Sequence, residues 1–270
     1  MSSAGRQWLP LVIFACVVVV TTSVSAEPIR VRHSEGLVHG FLVLRNHEGT
    51  TIADGDLTEV AKSEVVTAHL VFHFKDGSIH DETAVFSQAH QFLLLEYHLI
   101  QKGPMFQRQQ EIWIDTPKGE VKVRETDRQG EQRSADEKWK LPADLANGIT
   151  LTLLKNILPD AVQTTVTMLA ATPRPRLVNL IITTGARDTF LVGASHRRAI
   201  RYDVNVKIGG VAGWLAHLTG KVPPTTHVWI LEGEAPAFVK SEGPLCMECP
   251  IWQIELASPV WPTLSAAHAE

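Results

Sequence analysis

The chain has 270 residues, 44% hydrophobic and 20% charged, with a formal net charge of −4 at neutral pH. That hydrophobic share is too high for a disordered chain. A mild negative charge, with no long basic run and no aromatic–basic interleaving, excludes a nucleic-acid partner.

Residues 1–26 read as an export signal. Arg6 supplies a short positive n-region, residues 9–20 form an apolar core broken by Pro10, and Val24-Ser25-Ala26 offers the small residues a signal peptidase needs. The apolar core is shorter than the roughly 20 residues of a membrane span. Ile13-Phe14-Ala15-Cys16 loosely resembles a lipobox, but Phe14 and the apolar run after Cys16 argue against a lipoprotein. An uncleaved anchor is the remaining alternative. The expectation is an exported protein, periplasmic or extracellular, with no transmembrane segment in its mature chain. Residues 27–257 would form a single β-rich domain, and residues 258–270 a frayed tail.

In chain order, residues 29–46 read as an opening strand and residues 46–51 as a turn. Residues 57–66 fit either a strand or one helical turn. A meander follows, in the runs VVTAHLVFHF, SIHDETAVF, FLLLEYHLI and QEIWID. In the first run Val66, Ala68, Leu70, Phe72 and Phe74 share one parity, as one buried face of a strand requires. Asp76-Gly77 reads as a two-residue hairpin loop. That register places Phe74 opposite Ile79 and His73 opposite His80. It is preferred because a slip of one residue would set Phe72 against His80 and mix apolar with polar.

Residues 127–140 are charged and aperiodic and read as a solvated loop. Pro142 opens a predicted helix to about residue 158, with Leu145, Ile149 and Leu153 on one stripe, interrupted by Gly148 and ended by Pro159. Strands are predicted again over 163–170, 176–184, 189–192 and 197–208, then a short helix near 211–218. Strands over 227–231, 237–240 and 251–256 close the chain. Strands dominate and no βαβ rhythm appears. The expected fold is mainly β, a curved antiparallel sheet forming a half-barrel or open barrel, with one main helix packed on it.

The order of signal peptide, meander, Leu-rich helix (LPADLANGITLTLLKNI), further strands and a closing pair around Gly243-Pro244 and Ile251-Trp252 resembles exported bacterial lipoprotein-carrier-like proteins. These are the LolA/LolB-like half-barrels and their uncharacterised envelope relatives. The resemblance implies a curved sheet that wraps a helix and holds acyl chains or other apolar ligands. It rests on element order, and it carries over no binding residue.

Cys246-Met247-Glu248-Cys249 sits between Gly243-Pro244 and Pro250. In a β-turn two Cα atoms three residues apart fall within disulfide reach, so a structural disulfide is expected. Redox-active thiols would want the motif to open a helix, and a zinc site would need two more ligands. His69, His73 and His80 are read as sharing one face of the first hairpin, as solvated or hydrogen-bonded strand residues or, less simply, as a metal or pH-sensing site. His196-Arg197-Arg198 with Arg201 forms a basic cluster, either a solvated strand end or a contact for an anionic head group. No nucleophile elbow, metalloprotease motif or phosphate loop is present.

The sequence thus points to a non-enzymatic envelope protein, without cofactor or metal, that binds a hydrophobic or amphiphilic ligand in its curved sheet. Phe72, Phe74 and Leu94 are the candidate ligand-lining residues. At about 25 cal/mol per Å² the apolar strand faces demand either a covering layer or a guest. The alternative is a structural or protein-interaction module whose sheet is filled by its own side chains.

Overall fold

The structure, a computed structural model, describes residues 27–171, 174–192, 194–208 and 223–257. The expected export signal, the short helix near 211–218 and the expected tail lie outside the described residues. Eight strands come first: β1 (Leu37–Arg45), β2 (Thr51–Lys62), β3 (Val65–Phe74), β4 (Ile79–Ser87), β5 (Leu93–Lys102), β6 (Arg108–Asp115), β7 (Glu120–Asp127) and β8 (Gln132–Lys138). The helix α1 (Thr150–Asn156) follows. Six more strands follow among the described residues: β9 (Gln163–Ala170), β10 (Arg176–Val192), β11 (Ser195–Lys207), β12 (Thr226–Leu231), β13 (Phe238–Pro244) and β14 (Ile251–Leu256).

All fourteen strands form one antiparallel sheet in the order β8-β7-β6-β5-β4-β3-β2-β1-β14-β13-β12-β11-β10-β9. Each run, β1 to β8 and β9 to β14, is a simple meander, and pairing of β1 with β14 joins the two. β8 and β9 are the edges and do not pair with each other, so the sheet stays open. It is nonetheless strongly curled. Arg108 of β6 reaches Glu248 in the β13–β14 turn at 3.4 Å, although five strands lie between β6 and β14. In a flat sheet six strand spacings would separate them by about 29 Å.

The inward parity of β3 is the one predicted: Val66, Ala68, Phe72 and Phe74 are buried. The register of the first hairpin is not. His73 pairs with Ile79 and Phe72 with His80. The loop holds three residues, Lys75-Asp76-Gly77, closed by Phe74 N–H to Ser78 O at 2.9 Å and by Gly77 at φ 85°. A type I turn followed by a left-handed glycine is the usual three-residue solution. His80 therefore faces inward beside Phe72, while His69 and His73 lie on the other side, because a one-residue slip reverses every side chain.

Residues 57–66 resolve as the end of β2, a tight turn at Ser63-Glu64 and the start of β3. The predicted loop over 127–140 contains β8, an edge strand with nearly every residue exposed. Its charge and exposure hide the alternation that reveals a half-buried strand, and they also discourage edge-to-edge pairing. β10 runs unbroken through two predicted strands, with an irregularity between Thr184 and Arg187.

The long predicted helix shortens to α1. Gly148 takes φ +70°, and a Cβ there would meet Ala84 and Tyr97 at 2.9 Å. Before it, Leu145 bridges Thr167 in parallel, and Ala146 N–H donates to Thr167 O at 2.8 Å. Asn147 exchanges two side-chain hydrogen bonds with Leu169. The free edge of β9 thus takes up backbone bonds that a longer helix would have used internally. Leu145, Ala146, Ile149, Leu153 and Leu154 fill the concave face in one core with residues from both meanders. No described helix is long and apolar enough to cross a membrane.

Candidate functional site

The expected ligand-lining residues sit deep in this core. Phe72, Phe74 and Leu94 are 0%, 5% and 2% exposed. Phe74 packs on Phe106 and Trp252 with ring centroids at 5.4 and 5.6 Å. Protein side chains cover all three.

The open concavity lies at one end of α1, where an apolar floor meets a basic rim. Leu154, Ile157, Ile200 and Ile230 line the floor of a cleft of about 530 Å³, within the usual range for small-molecule sites. The rim carries Arg32, His33, Lys155, His196, Arg197 and Arg198, with Glu232 as its one carboxylate. Each is placed by a specific device. The arm before β1 bridges at Arg30 to Gln91, and Asn156 Oδ1 accepts from Arg32 N–H at 2.8 Å and His33 N–H at 2.7 Å. The far end of the β10–β11 hairpin presents His196 to Arg198. Its base is anchored by Trp229 Nε1–H to Asp188 at 2.6 Å and by Glu232, which bridges Arg187 at 2.9 Å and Arg198 at 3.3 Å. Arg32 and Arg197 form no ion pair among the described residues. Of the predicted basic cluster, Arg201 alone points elsewhere and pairs with Asp203 at 2.9 Å.

Behind the cleft wall lies a buried ionic cluster that sequence reading missed. Lys155 of α1 contacts Glu35 of the arm and, at 3.5 Å, Glu59 of β2. Thr152 Oγ1–H donates to Glu59 at 3.4 Å. Gln88 holds the arm in place, accepting from Glu35 N–H at 2.7 Å and donating to Glu35 O at 2.9 Å. Burial pushes the Glu59 carboxyl up to about 7; Lys155 opposes the shift and Glu35 adds to it. A signal existed: Lys155 is the lone charge in the apolar run TLTLLKN, and Glu59 has the parity of Leu57 and Ala61.

A second polar cluster interrupts the concave face on β4 to β6. Gln101 Nε2 donates to His80 Nδ1 at 2.9 Å and to Leu245 O at 3.2 Å, and its Oε1 accepts from Gln110. The Leu245 carbonyl fixes the amide orientation, so Nδ1 is the acceptor and the imidazole proton sits on Nε2. That Nε2 has no hydrogen-bond partner and lies 4.0 Å from Glu82. Tyr97 O–H donates to Glu82 at 2.8 Å. Desolvation lowers His80 to about 4 and raises Glu82 and Tyr97.

Two further histidines face carboxylates from the outer side of the sheet. His69 faces Asp81 at 2.9 Å, and His98 stacks on Trp113 at 4.9 Å while facing Glu111 at 3.2 Å. Among the described residues no three His, Cys, Asp or Glu side chains are grouped to hold a metal. Cys246 and Cys249 are bonded in the β13–β14 turn with Cα atoms 5.1 Å apart. That turn is hooked onto the opposite side of the curl through Leu245 and Glu248.

Fold and cleft define a curled, open antiparallel sheet with an internal helical plug and one amphiphilic cleft at its mouth. No known protein family matches the chain, and no curated protein resembles it in sequence. A structure described as a beta-barrel-like protein of domain of unknown function DUF1849 from Brucella abortus resembles it with a TM-score of 0.45. The identity is 8%, over 86% of this chain and 98% of that one. A kinship with lipoprotein carriers finds no support there.

Proposed function

We propose that this is an exported binding protein, without catalysis, that holds an amphiphilic anion in the cleft beside α1. The observation that carries the reading is the cleft's division into an apolar floor and a cationic rim on a chain whose net charge is −4. The tail would lie on Leu154, Ile157, Ile200 and Ile230, and the head would face the basic side of the cleft, Arg32 and Arg197 with Lys155 beside them. The basic cluster at His196-Arg197-Arg198 acquires a purpose in this reading.

Three amphiphiles with one chain and different heads test it by calorimetry: octyl sulfate, octyl glucoside and octyltrimethylammonium. Octyl sulfate is expected to bind saturably at one site, about tenfold tighter than the glucoside, which corresponds to about 1.4 kcal/mol, with the cation weakest. Equal affinity for all three, or no saturable binding, defeats the reading. A second reading, a protein-interaction module of the envelope, is favoured by the plugged concave face, where Phe72, Phe74 and Leu94 are covered by the chain itself.

A further inference from the structure

The cleft and the buried ionic cluster share one residue. Lys155 lines the cleft, yet its ammonium is held behind the wall between Glu35 and Glu59. The two carboxylates are nearly buried, and one ammonium cannot neutralise both. Ionised together they leave an unmatched negative charge out of reach of water, a state that buried carboxylate pairs avoid by keeping a proton. We propose that capture of an anion in the cleft is coupled, through Lys155, to uptake of one proton by the Glu35–Glu59 pair. The proposal rests on the cleft reading above and adds its chemistry.

The coupling follows from charge. With Glu59 ionised, Lys155 is shared by two carboxylates and has little attraction to spare. With Glu59 protonated, Glu35 alone matches the ammonium, and Lys155 can also attract an anion from the cleft side. Conversely, an anion placed against Lys155 repels the ionised pair and strengthens its hold on the proton. Binding and protonation therefore assist each other, as linkage requires. The groups facing Glu59 are Glu35 from the arm and Lys155 and Thr152 from α1; its strand neighbours Val38 of β1 and Ala68 of β3 carry no charge. Because the Glu59 carboxyl already titrates near 7, the linkage falls in the physiological range. Affinity falls as pH rises through it, by no more than tenfold per unit for one proton.

Calorimetry with octyl sulfate, whose head group stays ionised throughout, tests this in two buffers of different ionisation enthalpy. The expected results are uptake of a substantial fraction of one proton at pH 7 and affinity about fivefold weaker at pH 8 than at pH 6. His33 and His196 also line the cleft, so the slope must persist in a His33→Gln/His196→Gln variant. Glu59→Gln, which copies the protonated carboxyl, should bind tightly and lose the slope. Lys155→Met with Glu35→Gln and Glu59→Gln leaves a neutral cluster that can fold, and it should bind octyl sulfate at least tenfold more weakly. No proton uptake by the wild type, or an unchanged slope in Glu59→Gln, overturns the coupling while the cleft reading stands. Absence of octyl sulfate binding at every pH removes both.

Discussion

Two polar clusters interrupt the same concave face, and they are built on opposite principles. Around Lys155 the groups are charged, drawn from the arm, β2 and α1, and matched by an ammonium that the cleft also touches. Around His80 they come from neighbouring strands β4 to β6. The Gln101 amide and His80 imidazole are joined there by a hydrogen bond, the Tyr97 phenol donates to the Glu82 carboxyl, and burial favours a neutral imidazole. The first cluster has an excess carboxylate and so responds to protons near neutrality. The second keeps its imidazole uncharged until the solution is acidic. A buried polar group is tolerated in either way, but only the charged cluster leaves a charge to offer a ligand.

The largest expected difference comes from removing one partner in each. Lys155→Met strands two buried carboxylates and should cost about 3–5 kcal/mol in urea unfolding. A cost below about 1 kcal/mol would mean the pair is solvated after all.

The next difference is in pH dependence. Glu59 is raised from 4.5 to about 7, so the stability it contributes is full below about pH 4.5 and is lost as pH rises through 7. His80 is lowered from 6.5 to about 4, so its contribution is full above about pH 6.5 and is lost as pH falls through 4. Each swing is worth about 3 kcal/mol, and between pH 4.5 and 6.5 they oppose each other. Those two contributions should therefore nearly cancel in the urea midpoint across that window, while the raised Glu82 carboxyl adds stability toward acid. Relative to the wild type, Glu59→Gln should lose stability on acidification, and His80→Gln should gain it. Parallel profiles for the three proteins would abolish the distinction between the clusters.

The smallest effect is on the neutral side. Gln101→Leu leaves His80 Nδ1 and the Leu245 carbonyl without their donor, and should cost about 2 kcal/mol. If it matched Lys155→Met, the neutral string would be as consequential as the charged one.

Much of the sheet was legible in the sequence because alternation is a local signal. Val66, Ala68, Phe72 and Phe74 declare their face whatever lies elsewhere in the chain. The register failed at His80 for a reason outside the hairpin. The preference for apolar opposite apolar assumes a uniformly apolar concave face, whereas Gln101, two strands away from β3, gives an inward imidazole its hydrogen bond. The site was less legible still. The basic rim was half visible in His196-Arg197-Arg198, but Arg32, Lys155 and Glu59 are far apart in the chain, and no spacing rule joins them.

The sequence by itself determined a mainly β, antiparallel chain, the inward parity of its first meander strand and a Cys pair spaced for a turn. Each of these depends on residues a few positions apart. Tertiary structure decided the three-residue loop, the shortening of the helix to Thr150–Asn156 and the gathering of Lys155 with Glu35 and Glu59 behind a cleft. Those outcomes depend on which strand edge is free, on which face is already filled and on how far the sheet curls. Such balances between distant groups are settled only when the whole sheet has curled around its plug.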